Sequence, residues 1–137
     1  MKNFLILSCA LLIVFSVSAS ENINVSGYFE RYVNGHLDSD SAHINIVKQG
    51  MNEYSISGSA LWIISASTGS ANVGEIRGVF PLKNGTIRYD IDNCNLLITF
   101  TDKALVVSDD NLMCGGMNIS FNGTYIKRSH KNESEGK

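Results

Sequence analysis

Ile87-Arg88-Tyr89-Asp90-Ile91 and Leu96-Leu97-Ile98-Thr99-Phe100 decide the fold class. In the first stretch Ile87, Tyr89 and Ile91 alternate with Arg88 and Asp90. In the second, Leu96, Ile98 and Phe100 alternate with Leu97 and Thr99. A period of two sends successive side chains to opposite faces of a strand, whereas an amphipathic helix repeats near 3.6.

The same period extends outward in both directions. Ile23, Val25 and Gly27 lead into Tyr28 and Phe29. Ala42, Ile44 and Ile46 alternate with His43, Asn45 and Val47, and Tyr54 and Ile56 with Ser55 and Ser57. Val73, Ile76, Val79 and Phe80 are punctuated by Gly74 and Gly78. Ala104 to Val107 is a short β-rich run. Met117, Ile119 and Phe121 alternate with Asn118 and Ser120, and Tyr125 follows Gly123. Trp62-Ile63-Ile64 could form a helical turn, but its β-branched residues favour a strand. Asn34-Gly35, Gln49-Gly50, Lys83-Asn84-Gly85, Thr101-Asp102-Lys103 and Ser108-Asp109-Asp110-Asn111 suit tight connections. Gly58-Ser59-Ala60 and Gly69-Ser70-Ala71 also read as turns.

About eight strands with short connections predict an all-β fold, a small antiparallel meander barrel. A two-sheet sandwich is the alternative. The first strand, carrying Gly27-Tyr28, and the last, carrying Gly123-Thr124-Tyr125, are expected to lie side by side and close the barrel, with glycines at a bend and aromatics packed over the gap.

The chain has 137 residues, a formal net charge of −2 and three cysteines. Lys2, an apolar run from Phe4 to Val17 and the small-residue exit Val17-Ser18-Ala19 read as a secretory signal peptide over residues 1–19. A spanning helix needs about 20 apolar residues, and this run is shorter. Ile6-Leu7-Ser8-Cys9 imitates a lipidation box, but the apolar run continues past Cys9. The mature domain is expected over residues 20–128, followed by a disordered polar tail over 129–137. The product is expected to be periplasmic or secreted, with no membrane span after cleavage.

Cys94 and Cys114 then remain. In an oxidising compartment such a pair reads as a disulfide. The alternatives are two free buried thiols or half of a metal site. A zinc site wants four ligands, and His36, His43 and His130 have no ligand-like spacing to either cysteine. No metal and no cofactor is expected. The charge argues against a nucleic-acid partner, which needs a basic face. The basic cluster Lys127, Arg128, His130 and Lys131 reads as a solvated chain end.

No catalytic set is recognisable, and the chain is not expected to be an enzyme. There is no Gly-x-Ser-x-Gly elbow. Asp90 and Asp92 read as a charged strand face, and Asp38, Asp40, Asp109 and Asp110 as turn residues. The Asn-x-Ser/Thr triplets at Asn24, Asn84, Asn118, Asn122 and Asn132 would be glycan acceptors in a eukaryotic secretory path; a composition rich in Asn and Ser also yields them by chance.

The C-terminal third carries a constellation: Cys94, then Cys114-Gly115, then Phe121-Asn122-Gly123-Thr124-Tyr125. It resembles small exported bacterial β-barrel proteins that are lysozyme-inhibitor-like, over Ile91 to Lys127. The resemblance implies a periplasmic barrel whose partner is a protein, a lysozyme or other cell-wall hydrolase occluded at its cleft. Such inhibitors insert a loop of small polar residues. Here Ser65-Ala66-Ser67-Thr68-Gly69-Ser70 has that character, so Ser65, Ser67, Thr68 and Ser70 are the expected binding residues. The next basic residue is Arg77, and no cysteine pair bounds the loop. Two other functions fit an exported barrel: immunity against a periplasmic toxin, and carriage of a small apolar ligand.

Overall fold

The computed structural model describes residues 25–129. The expected signal segment and the tail beyond Ser129 lie outside the described residues.

Nine strands follow in order: β1 (Gly27–Val33), β2 (His36–Leu37), β3 (Ala42–Lys48), β4 (Glu53–Ser65), β5 (Ser70–Pro81), β6 (Thr86–Ile91), β7 (Cys94–Phe100), β8 (Ala104–Ser108) and β9 (Gly123–Lys127). They form one sheet in the order β5-β4-β3-β1-β9-β8-β7-β6, with β2 paired to β1 alone. Every pairing is antiparallel. The result is a nearly closed meander barrel of eight strands, the fold class expected from the alternation. The one gap in the ladder lies between β5 and β6, although they are consecutive in the chain.

The inward rows are those the sequence pattern marks. Ile44, Ile56 and Ile76 from one half of the barrel meet Ile87, Leu96, Ile98 and Leu105 from the other, all fully buried. Three hairpin turns are driven by positive φ at both central residues: Asn34-Gly35 (52° and 80°), Asn84-Gly85 (50° and 72°) and Asp92-Asn93 (49° and 67°). That backbone matches the right-handed twist of the strands it joins. Asp92-Asn93 contains no glycine, the residue that marks the other two turns.

β1 and β9 do lie side by side, with Arg31 opposite Tyr125 and Phe29 opposite Lys127. Their glycines are covered differently from expectation. The stem of Lys127 lies over Gly27 and that of Arg31 over Gly123, in place of aromatic rings. Arg31 is nonetheless buried. Its Nε donates to Asp38 at 2.5 Å and its Nη1 to the Ser120 carbonyl at 2.5 Å.

Two local expectations are corrected. Met117 to Phe121 is no strand. Residues 109–122 form a loop, bent by positive φ at Asp109, Leu112 and Asn118. Ile119 and Phe121 turn into the core while Met117 is 78% exposed. The alternation there records which residues plug the barrel, with no ladder behind it. Gly58-Ser59-Ala60 is no turn but the middle of β4, where Gly58 pairs with Ile44 and Ile76. Those two isoleucines fill the space a side chain would occupy.

Cys94 and Cys114 form a disulfide, which ties the start of β7 to the 109–122 loop. Among the described residues no helix is long and apolar enough to cross a membrane.

Candidate functional site: a projecting hairpin

β4 and β5 have 13 and 12 residues, against seven or fewer in every other strand. The excess projects from one end of the barrel. The β3–β4 ladder ends at Ala42 opposite Ala60. The β4–β5 ladder runs on through Leu61–Val73, Trp62–Asn72, Ile63–Ala71 and Ser65–Ser70, with a bulge at Ile64. Five residues at strand rise carry the tip about 16 Å past the last β3 pair.

Residues 61–73 contain no charged side chain. Trp62 shares its face with Ala60, which is fully buried, so it prolongs a core row into the open. Trp62 is 40% exposed, Ile63 39% and Ile64 59%. The turn itself is residues 66–69, closed by Gly69 at φ 68°. The expected binding residues therefore sit at the tip. Ser65 and Ser70 form the last strand pair, while Ser67 and Thr68 occupy the turn. The hydroxyls of Ser65 and Ser67 lie 3.1 Å apart.

Both sides of the hairpin base are braced. On the β4 side, the Leu61 amide donates to the Ser41 carbonyl at 3.1 Å and the Ile63 amide to Asp40 Oδ1 at 3.4 Å. On the β5 side the 109–122 loop leans against it. Gly74 and Gly115 make an isolated antiparallel bridge, with backbones too close to admit a side chain on either. The Gly116 amide donates to the Val73 carbonyl at 3.4 Å, and Asn72 Nδ2 to the Met117 carbonyl at 2.7 Å. Sequence reasoning missed this contact, because the Gly115–Gly74 proximity spans 41 positions with no local signature.

The loop is itself ordered by one buried carboxylate. Asp110 accepts the Phe121 amide at 2.6 Å and the Leu112 amide at 2.9 Å, and its own amide donates to Asn122 Oδ1 at 3.2 Å. Hydrogen bonds to an ionised carboxylate are the strong kind. Tyr125 completes the arrangement by donating to the Phe121 carbonyl at 2.7 Å. Burial pushes the Tyr125 phenol far above its ordinary value, against the opposing pull of Arg31.

Between residues 61 and 73 the projecting hairpin carries no carboxylate, imidazole, thiol, phenol, ammonium or guanidinium. It offers apolar flanks, hydroxyls and a mount braced on both sides. Among the described residues no group of three or more His, Cys, Asp or Glu is placed to hold a metal ion. Compared with family models, with curated proteins and with solved structures, the chain matches none.

Proposed function

We propose that this chain is an exported binding protein of the periplasm or cell exterior that inhibits a cell-wall hydrolase of the lysozyme type. It does so by seating the β4–β5 hairpin in the enzyme's cleft. The observation that carries the reading is the braced, uncharged hairpin beyond the barrel, with Trp62, Ile63 and Ile64 open to solvent and small hydroxyl residues at its tip. A tryptophan with apolar neighbours is a typical energetic anchor at interfaces. Bracing from two sides lowers the entropy lost on docking. The disulfide fits an oxidising compartment, and the side chains filling the barrel interior favour a surface function over carriage of an apolar ligand.

The test is turbidity of cell-wall suspensions treated with several lysozyme classes, with and without the purified mature protein. Stoichiometric suppression of one class is expected. Trp62→Ala should weaken it by about 2 kcal/mol, roughly thirtyfold. Bulky replacements at Ser67 and Thr68 should abolish it. Suppression of no class would remove the hydrolase from the reading and leave a different protein partner, such as a periplasmic toxin. Full suppression by the bulky variants would move the contact off the hairpin tip.

A further inference from the structure

The gap between β5 and β6 opens into a groove of about 530 Å³ on the outside of the barrel. This falls in the range of small-molecule sites, about 300–1,000 Å³. The ladder register explains its lining. His43 lies opposite Ser59 and Ser59 opposite Glu75; one step along, Ser57 lies opposite Arg77. These side chains share the outer face of β3, β4 and β5. Asp92, from the β6–β7 turn, faces them across the gap.

Ser57 and Ser59 are half-buried, whereas Glu75, Arg77 and Asp92 are exposed. Among the described residues none of these five side chains has a hydrogen-bond or ion-pair partner. The groove thus gathers two hydroxyls, two carboxylates and a guanidinium, all uncommitted. Its wall is fixed by Tyr89, whose hydroxyl accepts the Arg77 amide at 3.1 Å and reaches the Arg77 carbonyl at 3.3 Å.

The chemistry selects among ligand classes. A phosphate or polyanion would meet Glu75 and Asp92, and a polycation would meet Arg77. An extended peptide added to β5 would need the free backbone of Arg77, which Tyr89 already occupies. Hydrolysis is disfavoured too, since Ser59 has no hydrogen bond to His43. A ligand rich in neutral hydroxyls matches every group. Carboxylates accept from pairs of hydroxyls, the guanidinium donates to them in a fork, and serine does either. Half-buried Ile91 adds an apolar edge for the C–H face of a ring. The geometry points to a saccharide-binding site in the β5–β6 groove, separate from the projecting hairpin.

The test is amide NMR titration of the oxidised mature protein with three probes: chitotetraose, maltotetraose and tetra-alanine. At about 10 mM, at least one saccharide should shift Ser57, Ser59, Glu75, Arg77 and Asp92, with a millimolar Kd. Arg77→Ala and Ser57→Leu, on different strands, should each weaken binding about tenfold with the amide spectrum otherwise retained. Trp62→Ala should leave the saccharide shifts unchanged, which separates this site from the hydrolase reading. The proposal is overturned by no saccharide shift in the groove, by tetra-alanine shifting it instead, or by saccharide affinity unaltered in every folded groove variant.

Discussion

The Tyr89 hydroxyl stands in for a strand beside Arg77. It accepts the Arg77 amide at 3.1 Å and lies 3.3 Å from the carbonyl, where a β5–β6 ladder would otherwise place a neighbour. The ring is anchored by Phe80, centroid to centroid 5.0 Å away. Tyr89→Phe keeps the ring and deletes the hydroxyl. Stability should fall by about 1–3 kcal/mol, since two partly buried backbone groups lose their partner. Urea unfolding measures the loss, and faster hydrogen exchange at Arg77 would locate it. A variant as stable as the parent would mean that water replaces the hydroxyl without cost.

The Gly74–Gly115 contact permits a second prediction. A Cβ at Gly74 would stand 2.5 Å from Ile119 Cγ2 and 2.6 Å from the Cys114 carbonyl oxygen. A Cβ on Gly115 would strike the Gly74 backbone. Either alanine must lift the 109–122 loop or distort β5. Each should cost about 1–3 kcal/mol, the usual range for forced overpacking. Thermal unfolding of both variants checks this. Gly69→Ala is a useful contrast, because nothing lies within 4 Å of its Cβ. Its cost should come from the positive φ alone.

Which parts were legible follows from how far each determinant reaches along the chain. Ile87, Tyr89, Leu96 and Ile98 announce their strands because alternation is local and burial acts on one face. The β1–β9 pairing was expected from the sequence, but the cover of its glycines by the Lys127 and Arg31 stems was not, since nothing local marks those long side chains as packing groups. The projecting hairpin was half legible. Ser65 to Ser70 reads as a turn, but nothing in Trp62-Ile63-Ile64 says that β3 stops at Ala42. Exposure of those residues depends on the length of a different strand. Asp110 read as a turn residue, as did Asp38. Their roles beneath Phe121 and beside Arg31 rest on partners 11 and 7 positions away.

Tyr125 makes stability depend on alkaline pH. Its phenol is buried and held well above its ordinary value of 10.0, with burial the main cause. An unfolded chain releases that proton near pH 10, while the folded chain retains it. The unfolded state therefore binds fewer protons above that pH, and stability must fall as pH rises past about 10. Below it, the contribution is fully present. Tyr125→Phe should flatten this part of the pH profile while lowering neutral-pH stability by about 1 kcal/mol, for the lost bond to the Phe121 carbonyl. Unfolding at a series of pH values, with ultraviolet titration of the phenols, separates the two effects. An unchanged slope above pH 10 in Tyr125→Phe would assign the effect to another tyrosine, with Tyr28 next because its pKa is also raised by burial.

Reduction of the disulfide links the fold to the hairpin. Cys94 and Cys114 are 20 positions apart, and the chain-entropy account gives about 3 kcal/mol for a loop of that size. Mass analysis of a chain beginning at Ser20 should find two thiols only after reduction. The location predicts more than a loss of stability. Cys114 is bonded directly to Gly115, and Gly115 bridges Gly74 at the base of the hairpin. A dithiol reductant should therefore loosen residues 109–122 and the β5 side of the hairpin before it affects β7 and β8. Hydrogen exchange should rise first at Val73 and Gly116, while Ile98 and Val107, paired within the barrel, remain protected. If the chain inhibits a lytic enzyme as proposed, that inhibition should weaken in step with the exchange, because a hairpin free on one side pays more entropy to dock. Uniform exchange across the barrel would instead make the disulfide a global staple, with no particular hold on the hairpin.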